Sequence, residues 1–69
     1  MNVKVYVNAI LNSKAVELLN FLDEKGISYE VERVGTEWIG THKMKSLPVV
    51  EINGELILAN KAIKRLKKG

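Results

Sequence analysis

Apolar and polar positions alternate at the start of the chain, with Val3, Val5 and Val7 on one parity and Lys4 and Tyr6 on the other. A period of two marks a strand with one face against a core. Beyond Ser13 the period lengthens: Leu11, Ala15, Leu18, Leu19 and Leu22 recur at steps of three and four, opposite Lys14, Glu17, Asn20, Asp23 and Glu24. This predicts an amphipathic helix. Asn12 or Ser13 supplies the oxygen that caps its first amides, and Gly26 suits the left-handed residue that closes it after Lys25.

The next stretch, "ISYEVERV", sets Tyr29 and Val31 against Glu30 and Glu32, and predicts a second strand whose charges suit a sheet edge. Strand, helix and strand in that order predict a parallel pair with a crossover helix on one face. "GTEWIGTHKMKS", residues 35–46, has no sustained period and predicts a loop with at most one helical turn. In "LPVVEINGELILAN" two β-rich runs flank Asn53-Gly54, the dipeptide best suited to a tight hairpin. The closing "NKAIKRLKK" predicts a short helix capped by Asn60, with Ala62, Ile63 and Leu66 on its apolar stripe. The order is β-α-β, loop, β-β-α, without internal repeat or linker, and predicts one α/β domain over residues 1–69.

Composition narrows the chemistry. A chain of 69 residues has no room for a large core, and with no cysteine there is no disulfide, thiolate metal site or thiol nucleophile. His42 stands alone, so no histidine cluster can hold a metal, and no metal or other cofactor is expected. The start "MNVKVYV" does not read as a signal peptide, and no run approaches the ~18 apolar residues of a membrane span, so the expected location is the cytoplasm. A net charge of +3 permits an acidic partner but falls short of the dense basic face of a dedicated nucleic-acid binder.

On three markers the chain resembles the glutaredoxin family of the thioredoxin fold. "VKVYV" with the helix ending "LLNFLDEKGISYEV" is similar to that family's first strand, active-site helix and second strand; "SLPVVEINGELI" is similar to its cis-proline segment and hairpin. The resemblance implies a four-stranded mixed sheet, here with a shortened or missing second helix. It places Asn12 and Ala15 where the family carries the two cysteines of its CxxC motif, so that Asn12, Ser13, Lys14 and Ala15 stand in for the redox site. Neither an amide nor a methyl replaces an attacking thiolate, and Ser13 has no base placed beside it by the pattern. The resemblance therefore implies a redox-inactive domain, not an enzyme, in which Asn12 keeps only a capping role.

Leu47-Pro48 matches the family's cis-proline dipeptide, whose exposed backbone pairs with a bound segment. The family's glycine pair and following acidic residue correspond to Leu58-Ala59 and Lys61-Ala62, which disfavours glutathione binding by bulk and by loss of a carboxylate. What remains is a protein-binding module, its face made of the Asn12 helix start, the Trp38 loop with Ile39 and Met44, and Leu47-Pro48. Trp38 serves there either as a partner anchor or as a lid on a sheet face that the shortened helix leaves bare. The alternatives are glutathione or redoxin-partner binding without turnover, and nucleic-acid binding through Lys61, Lys64, Arg65, Lys67 and Lys68, a run that more often forms only a solvated helix face.

Overall fold

The computed structural model describes residues 2–68. Strand β1 (Val3–Val7) leads through a short loop into helix α1 (Ser13–Glu24), followed by β2 (Glu30–Arg33), α2 (Thr36–Thr41), β3 (Val49–Ile52), β4 (Glu55–Leu58) and α3 (Ala59–Lys67). The strands form one mixed sheet in the order β2-β1-β3-β4. β2 runs parallel to β1, and β3 runs antiparallel to both β1 and β4. The sheet expected from the strand-helix-strand unit and the hairpin is therefore present, with β2 at one edge.

Local chemistry sets the boundaries. The Asn12 side chain accepts the Ala15 N–H at 2.8 Å and caps α1. At the other end Gly26, at φ 70°, lets its own N–H reach the Asp23 carbonyl and the Ile27 N–H reach that of Leu22. This is a Schellman closure, satisfying carbonyls that the helix leaves unpaired. In the hairpin Asn53 and Gly54 take φ 50° and 89°, the two positive angles of a type I′ turn. The Leu47–Pro48 peptide bond is cis.

Three expectations are corrected. Leu11 is not on the apolar face of α1 but in the loop before its cap, and is 37% exposed, because the helix starts only at Ser13. Asn60 does not cap α3: β4 runs straight into the helix, Leu58 is the N-cap residue, and the Asn60 side chain bonds the Lys61 N–H within the first turn. Residues 36–41 form a helix of six residues, more than the single turn expected, so the second helix is shortened rather than missing.

The sheet buries both faces by different means. On one, Val3, Val5 and Val7 join Val50, Ile52 and Ile57 beneath Ala15, Leu18 and Leu22 of α1 and Ala59 and Ala62 of α3. On the other, side chains lie in two rows across the strands, Glu32–Tyr6–Val49–Leu58 and Glu30–Lys4–Glu51–Leu56. Six helical residues span only about 9 Å, enough for one row. Trp38, Ile39 and Met44 cover the apolar row, packing on the cluster of Tyr6, Leu47 and Val49. The second row stays open and is polar from β2 to β3.

Candidate functional site

The end of the sheet at which α1 begins carries the residues singled out by the sequence. Lys14 and Glu17 of α1, Ser46, Leu47 and Pro48, and Leu58, Ala59, Asn60 and Ile63 of the β4–α3 junction line one cleft of about 190 Å³. Leu47 and Pro48 are buried in its wall while Lys14 is exposed. The fold thus brings the start of α1 and the proline segment together, although 34 residues separate Lys14 from Pro48 in sequence.

Asn12 is exposed and committed to its cap, with its side-chain oxygen on the Ala15 amide. Its backbone carbonyl takes the first helical hydrogen bond from Val16 at 3.1 Å. Ser13 is exposed at the first helical position, and Ala15 is 1% exposed in the main core. None of the quartet is arranged as a nucleophile with a base. Among the described residues no group of three metal-ligating side chains converges on a common point.

Trp38, Ile39 and Met44 do not line this cleft. They lie half-buried on the opposite sheet face, where the Trp38 indole stacks between the Tyr6 ring, at 4.4 Å, and the His42 ring, at 4.1 Å. His42 Nδ1 donates to the Trp38 carbonyl oxygen at 2.8 Å and ties off the end of α2. Of the two readings of Trp38, anchor and lid, the packing on Tyr6, Leu47 and Val49 is the contact that a lid makes. Leu47 joins the two regions, because its side chain packs in the Trp38 cluster while it also borders the cleft.

The structure adds a residue that the sequence pattern did not single out. Ile10, in the loop between β1 and α1, is 85% exposed, and nearby Val16 on the first turns of α1 is 45% exposed. Leu11 beside Ile10 in the same loop is 37% exposed, so three apolar side chains are exposed within the segment that leads into and opens α1. Ile10 falls between the strand and helix periods, so no periodic signal marks it as either buried or free.

The basic residues lie on α3. Lys61, Lys64, Lys67 and Lys68 are exposed, and Arg65 is held by Glu55 through contacts of 3.0 and 3.4 Å. That pairing holds the Glu55 carboxyl below, and the Arg65 guanidinium above, its usual range. Arg65 is thus partly neutralised; Lys64, Lys67 and Lys68 fall at the C-terminal end of the helix, where cations are favoured by its dipole, while Lys61 lies in its first turn.

No family model matches the sequence, and no curated protein matches it. Solved structures do. A glutathione S-transferase from Ascaris lumbricoides matches with a TM-score of 0.70 at 21% identity, over 96% of this chain and 34% of its own. Na-GST-3, a monomeric glutathione S-transferase from the hookworm Necator americanus, matches with a TM-score of 0.72 at 23% identity, over 99% of this chain and 36% of its own. The fold is thioredoxin-like. Sequence identity at this level carries the fold alone, and the chain spans about a third of the length of either transferase. Within this thioredoxin-like framework α2 has six residues, and the start of α1 is capped by the Asn12 amide.

Proposed function

We propose that this thioredoxin-like domain is redox-inactive and binds another protein through the end of the sheet where α1 begins. The observation that carries the reading is the Asn12 cap: the position that the glutaredoxin resemblance gives to the attacking thiol is occupied by an amide whose oxygen is spent on the Ala15 N–H at 2.8 Å. The helix start is thereby kept as architecture without the group that would react. Around it, Ile10 and Val16 expose apolar surface, Leu47 and Pro48 form a wall, and Lys14 contributes a cation. Exposed apolar side chains near a small open cleft with a mixed polar and apolar lining suit a macromolecular surface better than an enclosed small molecule.

Two measurements test it. The native chain is expected to reduce hydroxyethyl disulfide no faster than a protein-free control, and glutaredoxin-like turnover would sink the redox-inactive part. Affinity capture from lysate of the source cell, with nuclease present, is expected to retain one protein that is lost with Ile10→Asp, provided circular dichroism shows the variant folded. A partner indifferent to Ile10→Asp and lost on charge reversal of Lys64, Lys67 and Lys68 would instead favour the basic helix and the nucleic-acid reading.

Glutathione binding without turnover is the second reading. It is favoured by the fold shared with two glutathione S-transferases and by the Leu47–Pro48 wall. Size weighs against it: about 190 Å³ is below the 300–1,000 Å³ typical of ligand pockets, and the half-buried Leu58 narrows the cleft. Amide shifts around Asn12, Leu47 and Asn60 during titration to millimolar glutathione would support it, and unmoved amides would dispose of it.

A further inference from the structure

We propose that the free edge of β2 takes up an extended segment of a partner protein, with lysine or arginine at alternate positions, as an additional strand. The inference concerns the edge of the sheet rather than the cleft at the start of α1, and stands or falls independently of the reading above.

β2 is the outermost strand of the sheet, and all four of its residues are exposed. Its backbone is free on one side only. The Val34 N–H bonds the Val7 carbonyl at 2.8 Å, and successive residues of a strand point their backbone groups to opposite edges. Glu30 and Glu32 therefore turn theirs towards β1, while Val31 and Arg33 turn theirs outward, offering two donors and two acceptors to an added strand.

Side-chain alternation selects what that strand carries. Glu30 and Glu32 share the sheet face on which α2 packs, Glu30 in the row that α2 leaves open and Glu32 exposed at the edge of the covered row, and Val31, 46% exposed, lies on the other face. Beside them runs a groove of about 440 Å³ lined by Lys4, Ser28, Tyr29, Glu30 and Glu51. The open row holds Glu30 and Glu51 on either side of Lys4, with Glu32 next along the β2 edge, so that among the described residues three carboxylates face one cation there. The inner neighbour of β2 already shows the complementary pattern: β1 reads Val3-Lys4-Val5, and Lys4 Nζ reaches Glu32 Oε1 at 2.8 Å from the register position of Glu30. Glu30 has no ion-pair partner among the described residues. A strand on the outer side with the same basic alternation would supply one, setting opposite charges across the new pair.

A second copy of this chain fits poorly. Antiparallel pairing of two β2 edges keeps equivalent faces on the same side, so the Glu30 and Glu32 rows of the two copies would meet. Like charges directly opposite are destabilising.

The test is an amide-resolved titration of the full chain with two end-blocked five-residue peptides, one alternating lysine with valine and one alternating glutamate with valine. The lysine peptide is expected to shift and protect the Val31 and Arg33 amides and the glutamate peptide to leave them unmoved. The double variant Glu30→Lys, Glu32→Lys is expected to reverse that preference, and Glu30→Gln with Glu32→Gln, the milder change, to weaken the lysine peptide at least tenfold. The proposal is overturned by unmoved Val31 and Arg33 amides at millimolar lysine peptide, by equal responses to both peptides, or by sedimentation showing that β2 edges pair copies of the chain.

Discussion

The Trp38 indole lies 4.4 Å from the Tyr6 ring with 27° between their planes, joining the shortened α2 to β1, one of the two inner strands of the sheet. Tyr6 in turn donates its hydroxyl to Glu51 Oε1 at 2.6 Å. The apolar row under α2 and the polar row beside it are thus linked through one side chain, apolar in its ring and polar at its tip.

Trp38→Ala removes that cover. Large-to-small changes at buried aromatics cost 3–5 kcal/mol, and with Trp38 only half-buried a loss of about 2 kcal/mol is expected. Urea unfolding checks it. A loss within experimental error of zero would show that α2 is not needed to close the second face.

Asn12→Ala removes the α1 cap and is expected to cost about 1 kcal/mol. Asn12→Cys is the more telling variant, because a thiol at a helix start has its thiolate favoured by the local amides. Its pKa, followed by thiolate absorbance, is expected below the ordinary ~8.5. An ordinary value would separate this helix start from those of working thiol oxidoreductases.

Both tyrosines are expected to ionise above their ordinary pKa of 10.0, Tyr6 chiefly through its bond to Glu51 and Tyr29 through its bond to Asp23. A raised folded-state pKa contributes stability that is fully present below the unfolded value and is lost as pH rises through the folded one. Glu51→Ala should bring one tyrosine titration down and leave the other in place, read from the tyrosinate absorbance. Two unmoved titrations would contradict the Tyr6–Glu51 bond.

Lys43 sits at φ 56° just beyond α2, and the Met44 N–H bonds the Ile39 carbonyl around it at 3.0 Å. Glycine is the residue favoured at that point of a Schellman closure. Lys43→Gly is therefore expected to stabilise by about 0.5–1 kcal/mol, relief of the left-handed conformation outweighing the added freedom of the unfolded chain. Destabilisation on thermal unfolding would contradict it.

The strands, the long helix and the hairpin were legible because each carries its own local signal: alternation in Val3–Val7, steps of three and four from Ala15 to Leu22, and a turn dipeptide at Asn53-Gly54. The absence of any thiol was legible too, since the chain has no cysteine. The fate of Ile10, Leu11 and Asn60 was not. These residues stand at boundaries, where one position of shift exchanges a buried role for an exposed one and no period is long enough to decide.

The sequence by itself determined the order of elements, the caps and turns between them, and the chemistry that the helix start lacks, because all of these depend on neighbours within a few residues. Only the tertiary structure decided that α2 covers the Tyr6–Val49–Leu58 row and leaves the Lys4–Glu51 row bare, and that Trp38 packs as a lid outside the cleft lined by Pro48. The physical reason is distance along the chain. A six-residue helix has too few turns to declare a face, and the side chains that orient it lie on strands folded back from both sides of it.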